Sequence, residues 1–597
     1  MFLRRTQRYK NGKSHTYWSI VENRRARGRR VVQQTVLYLG EISDSQKEEW
    51  VKAIEVFDEE SGTAKQLELF ADPQAPPEAF PNGVQVRLKN FEMHRPREWG
   101  SCWLFMEVWK ELGLDEFWQK RLGDSKKGTK WEHVLATLCC YRLLDPGSEW
   151  RLHRYWYEHS AMADLLGEDA SIISKDALYR CLDLLVEHKE ELFSHLKQRW
   201  KDLFGVKYEV LLYDLTSTYF ESDVPEDPSD IRRFGYSRDK RSDCTQVVIA
   251  LIVTPEGFPL AYEVLPGNTS DKTTLRSFLK KIETQYGKAD RIWVMDRGIP
   301  TEEVLAEMRA SNPPIQYLVG TPKSSLPKME ADLSNLEWQE VRQGVDVKLL
   351  SKEGELYLLA RSKDRICKER SMRYRRLRKY LKALASLKRR SPLKRDTLHQ
   401  ALGAAKKEAG RDARHLKIDI ELHGEDEDQR ASLSYQWDRL SLKEARRREG
   451  AYLLRSNLSS QDPGKMWNCY MLLTQVEEAF KNLKGDLNVR PIYHQLENRI
   501  EAHIFVAFLS FCIHATLRHQ LRLKAPGLTP RSLLEQLKTI QMLDVHFPTT
   551  DGRRLIFCRY TMPNKTQKLL LSQLGRNLPP QSPPRITSNL TLEPLKN

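Results

Sequence analysis

Hydrophobic and polar positions change rhythm several times along the chain. From about Trp99 to Phe204, Trp, Leu and Phe recur every three or four residues, as in CWLFMEVWKELGL, WEHVLATLCCYRLL and DALYRCLDLLVEHKEELFSHL. That period predicts helices with one apolar stripe each, packed as a helical domain over 95–204. Downstream the period shortens. YEVLLYD, CTQVVIALIV, PLAYEVL, RIWVMD and IQYLVG are brief apolar runs bounded by Gly, Pro and Asp, and each reads as a strand. DKTTLRSFLKKIETQ and PTEEVLAEMRA, between the later runs, read as helices. Three hairpin-connected strands, then helix, strand, helix, strand, predict a mixed α/β sheet covered on its faces over 205–325.

Past Pro322 strand-like pieces (VKLLS, LYLLARS, LKIDIEL) surround a long basic helical segment, and 326–465 is expected to be an insertion. Helical patterning resumes at MLLTQVEEAFKNLK and RIEAHIFVAFLSFCIHATL, within 466–545. Residues 1–70 form a basic N-terminal region with β-like runs (TYWSIV, RVVQQTVLYL), and the Pro-rich DPQAPPEAFPNG reads as a linker. The C-terminal region 546–597 ends, from about Gly575, in a Pro-, Ser- and Asn-rich tail expected to be disordered.

Composition narrows the partners. The 597 residues carry a formal charge of +16, which points to a polyanion. Between Arg361 and His415, 20 Lys and Arg stand against 5 Asp and Glu, so this segment alone supplies nearly the whole excess. A solvated helix is the bland reading of such a run. The nine cysteines show no C-x-x-C pair and suit reduced thiols in a cytoplasm. No secretory signal is read at the basic N-terminus, and the apolar run Ile504–Leu517 is too short to span a bilayer. His494, His503 and His514, on or near apolar helices, read as core or surface histidines rather than ligands.

Candidate chemistry begins with two carboxylates. VLLYDLTSTYFES places Asp214 at the apparent exit of an apolar strand, and RIWVMDRG does the same with Asp296. A capped turn explains either one alone. Two strands of one sheet ending in Asp would bring two carboxylates to one edge, where their repulsion is ordinarily relieved by a divalent ion. A third candidate is Glu477. On a helix, Leu473, Val476, Phe480, Leu483 and Leu487 form an apolar stripe, with Tyr470, Glu477 and Lys484 bordering it at two-turn intervals. Glu478 is its rival, and a plain surface Glu and Lys is the bland alternative.

Taken together, YDLTSTYFES, GFPLAYEVLPGNTSDKTTL, VMDRG, and Tyr470–x6–Glu477–x6–Lys484 followed by RPIYH resemble the DDE transposases of insertion sequences, in particular the insertion-sequence-four superfamily. Where that signature has Arg, this chain has Leu473. The resemblance implies an α/β, RNase H-like mixed sheet with a helical, DNA-binding N-terminal domain and a large basic insertion between the second Asp and the Glu. It implies Asp214, Asp296 and Glu477 as catalytic residues and metal ligands for Mg2+, with Mn2+ as a substitute. It implies DNA contacts from Tyr470 and Lys484. Arg297 and, on the basic segment, Arg373, Arg375, Arg376, Lys379, Arg389 and Arg390 are further expected phosphate contacts. Double-stranded DNA at transposon ends and target, a homodimer in the synaptic complex and a cytoplasmic, nucleoid-associated setting in a prokaryote complete the expectation. The alternatives are a domesticated DNA-binding protein without catalysis and an RNase H-like nuclease.

Overall fold

The computed structural model describes residues 2–41 without 11–12 and 26–30, and residues 86–587 without 124, 126–127, 169–171, 287–290, 297–298, 323–324, 327–328, 330–331, 334, 424–429, 459–461 and 550–551. The expected linker at 72–83 and the expected phosphate contact Arg297 lie outside the described residues. The chain forms two compact units, one of residues 1–6, 16–291 and 472–597, the other of 7–15 and 292–471. The second unit thus starts at Ile292, well before the expected insertion boundary near 326.

At the N-terminus β1 (Phe2–Lys10), β2 (Lys13–Arg25) and β3 (Val31–Gly40) form a three-stranded sheet. In TVLYL the buried Leu37 and Leu39 alternate with the exposed Tyr38, whereas Ser19, Ile20 and Val21 are buried in succession where the pairing of β2 with β3 shifts register. After β4 (Glu92–Glu98) come the expected helices: α1 (Gly100–Glu111), α2 (Leu114–Leu122), α3 (Trp131–Leu144), α4 (Lys175–Asp183) and α5 (Lys189–Phe204). Their stripes bury Trp103, Phe105, Trp109, Trp118, Leu135, Leu178 and Trp200.

The first unit's sheet strands are β5 (Val210–Tyr219), β6 (Gln246–Val253) and β7 (Pro259–Pro266), an antiparallel meander. Strand β6 is buried at every position, as a run of Val, Ile, Ala and Leu requires. Strand β5 does not end at Asp214. It continues through Leu-Thr-Ser-Thr-Tyr, because Thr and Tyr are good strand formers and their hydroxyls do not interrupt the ladder, so Asp214 sits mid-strand opposite Leu251. Helix α6 (Asp271–Tyr286) closes this stretch.

In the second unit β8 (Ile292–Met295) runs parallel to β9 (Gln316–Thr321), with α7 (Glu302–Ala310) between them. The sheet extends antiparallel through β10 (Gln339–Arg342), β11 (Val345–Lys352) and β12 (Glu355–Ser362). Then the chain leaves the sheet. Helices α8 (Lys363–Arg390) and α9 (Arg395–Ala409) pack with β13 (Leu393–Lys394), β14 (Leu416–His423) and β15 (Arg430–Trp437) around a core of Tyr380, Leu384, Leu398, Leu402 and Leu433. Through α10 (Arg439–Arg447) it returns as β16 (Ala451–Ser456), which pairs with both β12 and β9. That shared pairing explains why β8 and β9 cluster with the segment after them. Helix α11 (Pro463–Met471) ends the unit.

The chain re-enters the first unit at α12 (Leu473–Lys484), followed by α13 (Glu497–Lys524). By length and composition α13 could cross a membrane, longer than its apolar run alone suggests, but 94% of the relevant window is buried inside the fold. It is the core helix against which α1, α3 and α4 pack. Strands β17 (Gln541–Pro548) and β18 (Arg554–Tyr560) join β4, and β18 also pairs with β19 (Arg585–Thr587). The tail is therefore ordered to Thr587. Arg576 pairs with Glu111, and Gln581 exchanges hydrogen bonds with the Tyr560 backbone, so polar contacts hold a segment that composition marks as loose.

Candidate active site

Strand alternation decides where Asp214 points. Asp214 and Thr216 are two residues apart and share a face of β5. Thr216 lines a small cavity of about 10 Å3 with Ile249, Leu251, and Leu483 and Lys484 of α12. The half-buried Asp214 therefore lies on the face that α12 covers, and the Leu215 N–H donates to its Oδ1 at 2.8 Å.

Helix α12 is held there by the stripe read from sequence. Leu473, Val476, Ala479, Phe480 and Leu483 are buried, and Leu487 beyond the helix is fully buried. Glu477 is exposed and makes no hydrogen bond or ion pair among the described residues. Its rival Glu478 is half-buried and engaged by the Arg518 guanidinium of α13. One carboxylate of the pair is structural and the other is available.

In the second unit Asp296 follows β8 directly and is exposed, as the sequence suggests. The Tyr470 hydroxyl of α11 donates to Asp296 Oδ1 at 3.5 Å, and the Tyr470 ring meets Tyr452 edge-on. Lys484 departs from expectation. Its ammonium is mostly buried and donates to Asp239 Oδ1 at 3.0 Å, where Arg490 also pairs, and burial pushes its pKa down despite Asp239.

The basic helix α8 divides in two. Arg373 and Arg370 pair with the buried Glu449 at 2.5 and 3.0 Å, Arg376 with Asp412 at 3.3 Å, and Lys379 with Glu408 at 3.0 Å. Arg375, Arg389 and Arg390 are exposed and have no such partner among the described residues.

A further group was not legible in sequence. Glu149, His494 and His503 place ligand atoms within 4.8 Å of one another inside the first unit. Burial, then the neighbouring Arg142, pushes the His503 pKa down to about 4. The Arg142 guanidinium lies 3.4 Å from His503 Nδ1 and 3.8 Å from Glu149 Oε1. A fixed cation already neutralises the carboxylate, so this is better understood as a buried polar network tying RPIYH to α3 than as a metal centre. Its members are up to 361 residues apart in the chain, and no local spacing announces them.

An antiparallel meander followed by a parallel β-α-β unit, with carboxylates on the sheet and on a covering helix, defines an α/β protein of the RNase H-like class. Family models agree with that class. The N-terminal domain of IS1634 family transposases matches residues 3–60, and the transposase DDE domain matches 207–513, just over half the chain. The chain belongs to the DDE transposase family. It is a DNA transposase, an enzyme that acts on DNA and depends on a divalent metal. No curated protein matches it. Among solved structures, the cryo-EM piggyBac transposase synaptic complex with hairpin DNA is similar at 11% identity and a TM-score of 0.33, covering 73% of this chain and 78% of that one. The Mos1 transposase paired-end complex with left transposon end is similar at 14% identity and a TM-score of 0.14, covering 31% and 57%. Both likenesses are too distant to bear on the site.

Proposed function

We propose that Asp214, Asp296 and Glu477 together hold the metal, Mg2+ with Mn2+ as a substitute, and that the chain cuts phosphodiesters at transposon ends and joins the freed 3′-hydroxyl to target DNA. The observation that carries the reading is the contrast on α12: Glu477 stays exposed, and unpaired among the described residues, on a helix packed over the Asp214 face of β5, while Glu478 is tied to Arg518. The donor set fits the ion, since three carboxylates and no sulfur or imidazole suit a hard cation that keeps water and phosphate oxygens as its other ligands. When bound, such ions neutralise the attacking and leaving oxygens of an in-line displacement.

The side chains have separable tasks. Asp214 is oriented by the Leu215 N–H, and Glu477 is carried on a helix whose buried stripe sets its height above the sheet. Tyr470 donates to Asp296 and so restricts its rotamer. Water serves as nucleophile in cleavage and the DNA 3′-hydroxyl in joining, so no covalent protein–DNA bond and no nucleophilic Ser or Tyr are required. Two copies of the chain, each holding one end, make a synaptic homodimer, and the setting is a prokaryotic cytoplasm at the nucleoid.

The deciding experiment is metal-dependent cleavage and strand transfer on duplexes taken from the DNA that flanks the coding sequence. Asp214→Ala, Asp296→Ala and Glu477→Ala should each bind DNA and leave it uncut. A variant that keeps full activity removes its residue from the site. Wild-type chain that binds without cutting is the domesticated binder, and cutting without joining is the nuclease.

A further inference from the structure

The connection between β5 and β6 is out of scale. Residues 220–245 span a hairpin that usually needs about 2–5 residues, and connections of this length are commonly functional. Its second limb reads RRFGYSRDKR, Arg232 to Arg241, with five bases and one acid. That acid, Asp239, is only 9% exposed and is turned inward onto Lys484 and Arg490. Arg232 is buried against Asp230 and Arg241 is paired with Glu221 and Asp243, so the cations the limb offers outward are the half-buried Arg233 and the exposed Lys240. Beside them stand two aromatic rings in solvent: Phe234 is 50% exposed and Tyr236 84%.

This exposure is built in. Arg233 pairs in both directions with the Gln246 backbone, and the buried Gln246 side chain donates to Tyr236 O at 3.2 Å and Gly267 O at 2.8 Å. Gly235 lies so close to Gly267 that a Cβ there would stand 2.0 Å from the Gly267 carbonyl oxygen. The Arg238 N–H donates to Ser217 Oγ of β5, and Lys240 adopts a left-handed backbone at φ 61°. A turn pinned at both limbs cannot fold its rings away, so they stay in water until a ligand covers them.

We propose that this limb is a DNA-contacting loop in which Phe234 and Tyr236 stack on bases while Arg233 and Lys240 engage the flanking phosphates. Three observations select DNA. Arg233 and Lys240 remain outward while the limb's own acid, Asp239, is turned in; aromatic rings beside cations suit bases beside phosphates; and the loop is fastened through Asp239 and Lys484 to the helix that carries Glu477. The inference rests on the DNA partner given by family membership and not on the metal-binding triad.

The test is binding in metal-free, chelator-containing buffer, where no cleavage occurs. Its probe is a duplex from the DNA flanking the coding sequence, with a fluorescent adenine analogue placed in turn at successive base pairs. Wild type should change the analogue's emission at a confined set of positions. Tyr236→Ala and Phe234→Ala should abolish that change and weaken binding by about tenfold or more. Tyr236→Phe should behave as wild type, and the salt dependence of the Ala variants should be unaltered. Lys240→Ala should instead lower the salt slope by about 0.9. Unchanged affinity and emission in both Ala variants would overturn the proposal. So would a dimer of the DNA-free chain, seen by sedimentation, that Tyr236→Ala dissolves, since the rings would then serve a second copy. A Glu477→Ala chain should give the wild-type signal, so failure of the triad and failure of the loop are told apart.

Discussion

Helices α12 and α8 are both amphipathic, and both are heavily charged on their outer faces, yet they treat that charge differently. On α12 the stripe Leu473, Val476, Phe480, Leu483 is buried, and one acid, Glu477, is left alone in solvent. On α8 the stripe Leu377, Tyr380, Leu384, Leu387 is buried, and many of the cations that gave the sequence its basic signature are spent on acids of the same unit. A count of charges therefore overstates what α8 offers to DNA, whereas it understates α12, where a single unpaired carboxylate is the informative one. Charge that is buried and paired serves architecture; charge that is exposed and unpaired is open to a ligand.

The sharpest break is at Glu477 against Glu478. Glu477→Ala should lower the cleavage rate by about 10³-fold or more, the loss of several kcal/mol of transition-state stabilisation, with Asp214→Ala and Asp296→Ala alike. Glu478→Ala should keep most activity and lose a little thermal stability, because its partner Arg518 is then left half-buried. Equal losses from both would erase the distinction.

Next comes acid. Burial first, and for His503 also Arg142, lowers His503 and His514 from the ordinary 6.5 to about 4. Above pH 6.5 their contribution to stability is complete. As pH falls toward 4 the unfolded chain takes up protons that the folded one refuses, so stability drops by roughly 1.4 kcal/mol per pH unit for each histidine. Urea unfolding between pH 7 and 5 should show this, and His514→Leu should flatten the slope; a stability independent of pH would refute the burial argument.

Smaller effects separate the two kinds of cation on α8. Arg373→Ala strips one partner from the buried Glu449 and should destabilise the second unit by about 2–3 kcal/mol, read as a lower urea midpoint. Arg375→Ala, Arg389→Ala and Arg390→Ala should leave that midpoint in place and reduce the salt slope of DNA binding by about 0.9 each. If Arg373→Ala and Arg375→Ala behave alike, pairing in the free protein does not predict function.

Much of the core was legible because its strands are short, apolar and β-branched, and because stripes at helical spacing are hard to mistake in α12 and α13. Asp214 looks like a strand end because the apolar run stops there, yet Thr216, Ser217 and Thr218 are buried and continue β5. The sheet of β4, β17, β18 and β19 went unread because QMLDVHFP and RLIFCRY mix polar and apolar residues without clean alternation. Residue types and spacing offer Glu477 with Glu478 as its rival; what the fold adds is that Glu477 is exposed and Glu478 is paired with Arg518. Lys484 looked like a DNA contact, and nothing local hinted that Asp239, 245 residues earlier, would hold it.

The excursion that contains α8 has a narrow neck. Chain leaves the sheet at Ser362 and comes back at Ala451, where the Ser362 N–H donates to the Gly450 carbonyl at 3.1 Å and β12 lies hydrogen-bonded beside β16. Topologically, residues 363–450 are the overgrown tip of a hairpin, with a core of their own. Replacing them by a short turn would still let β12 meet β16. Length at this point can thus change without disturbing the platform beneath, which makes the neck a natural grafting point.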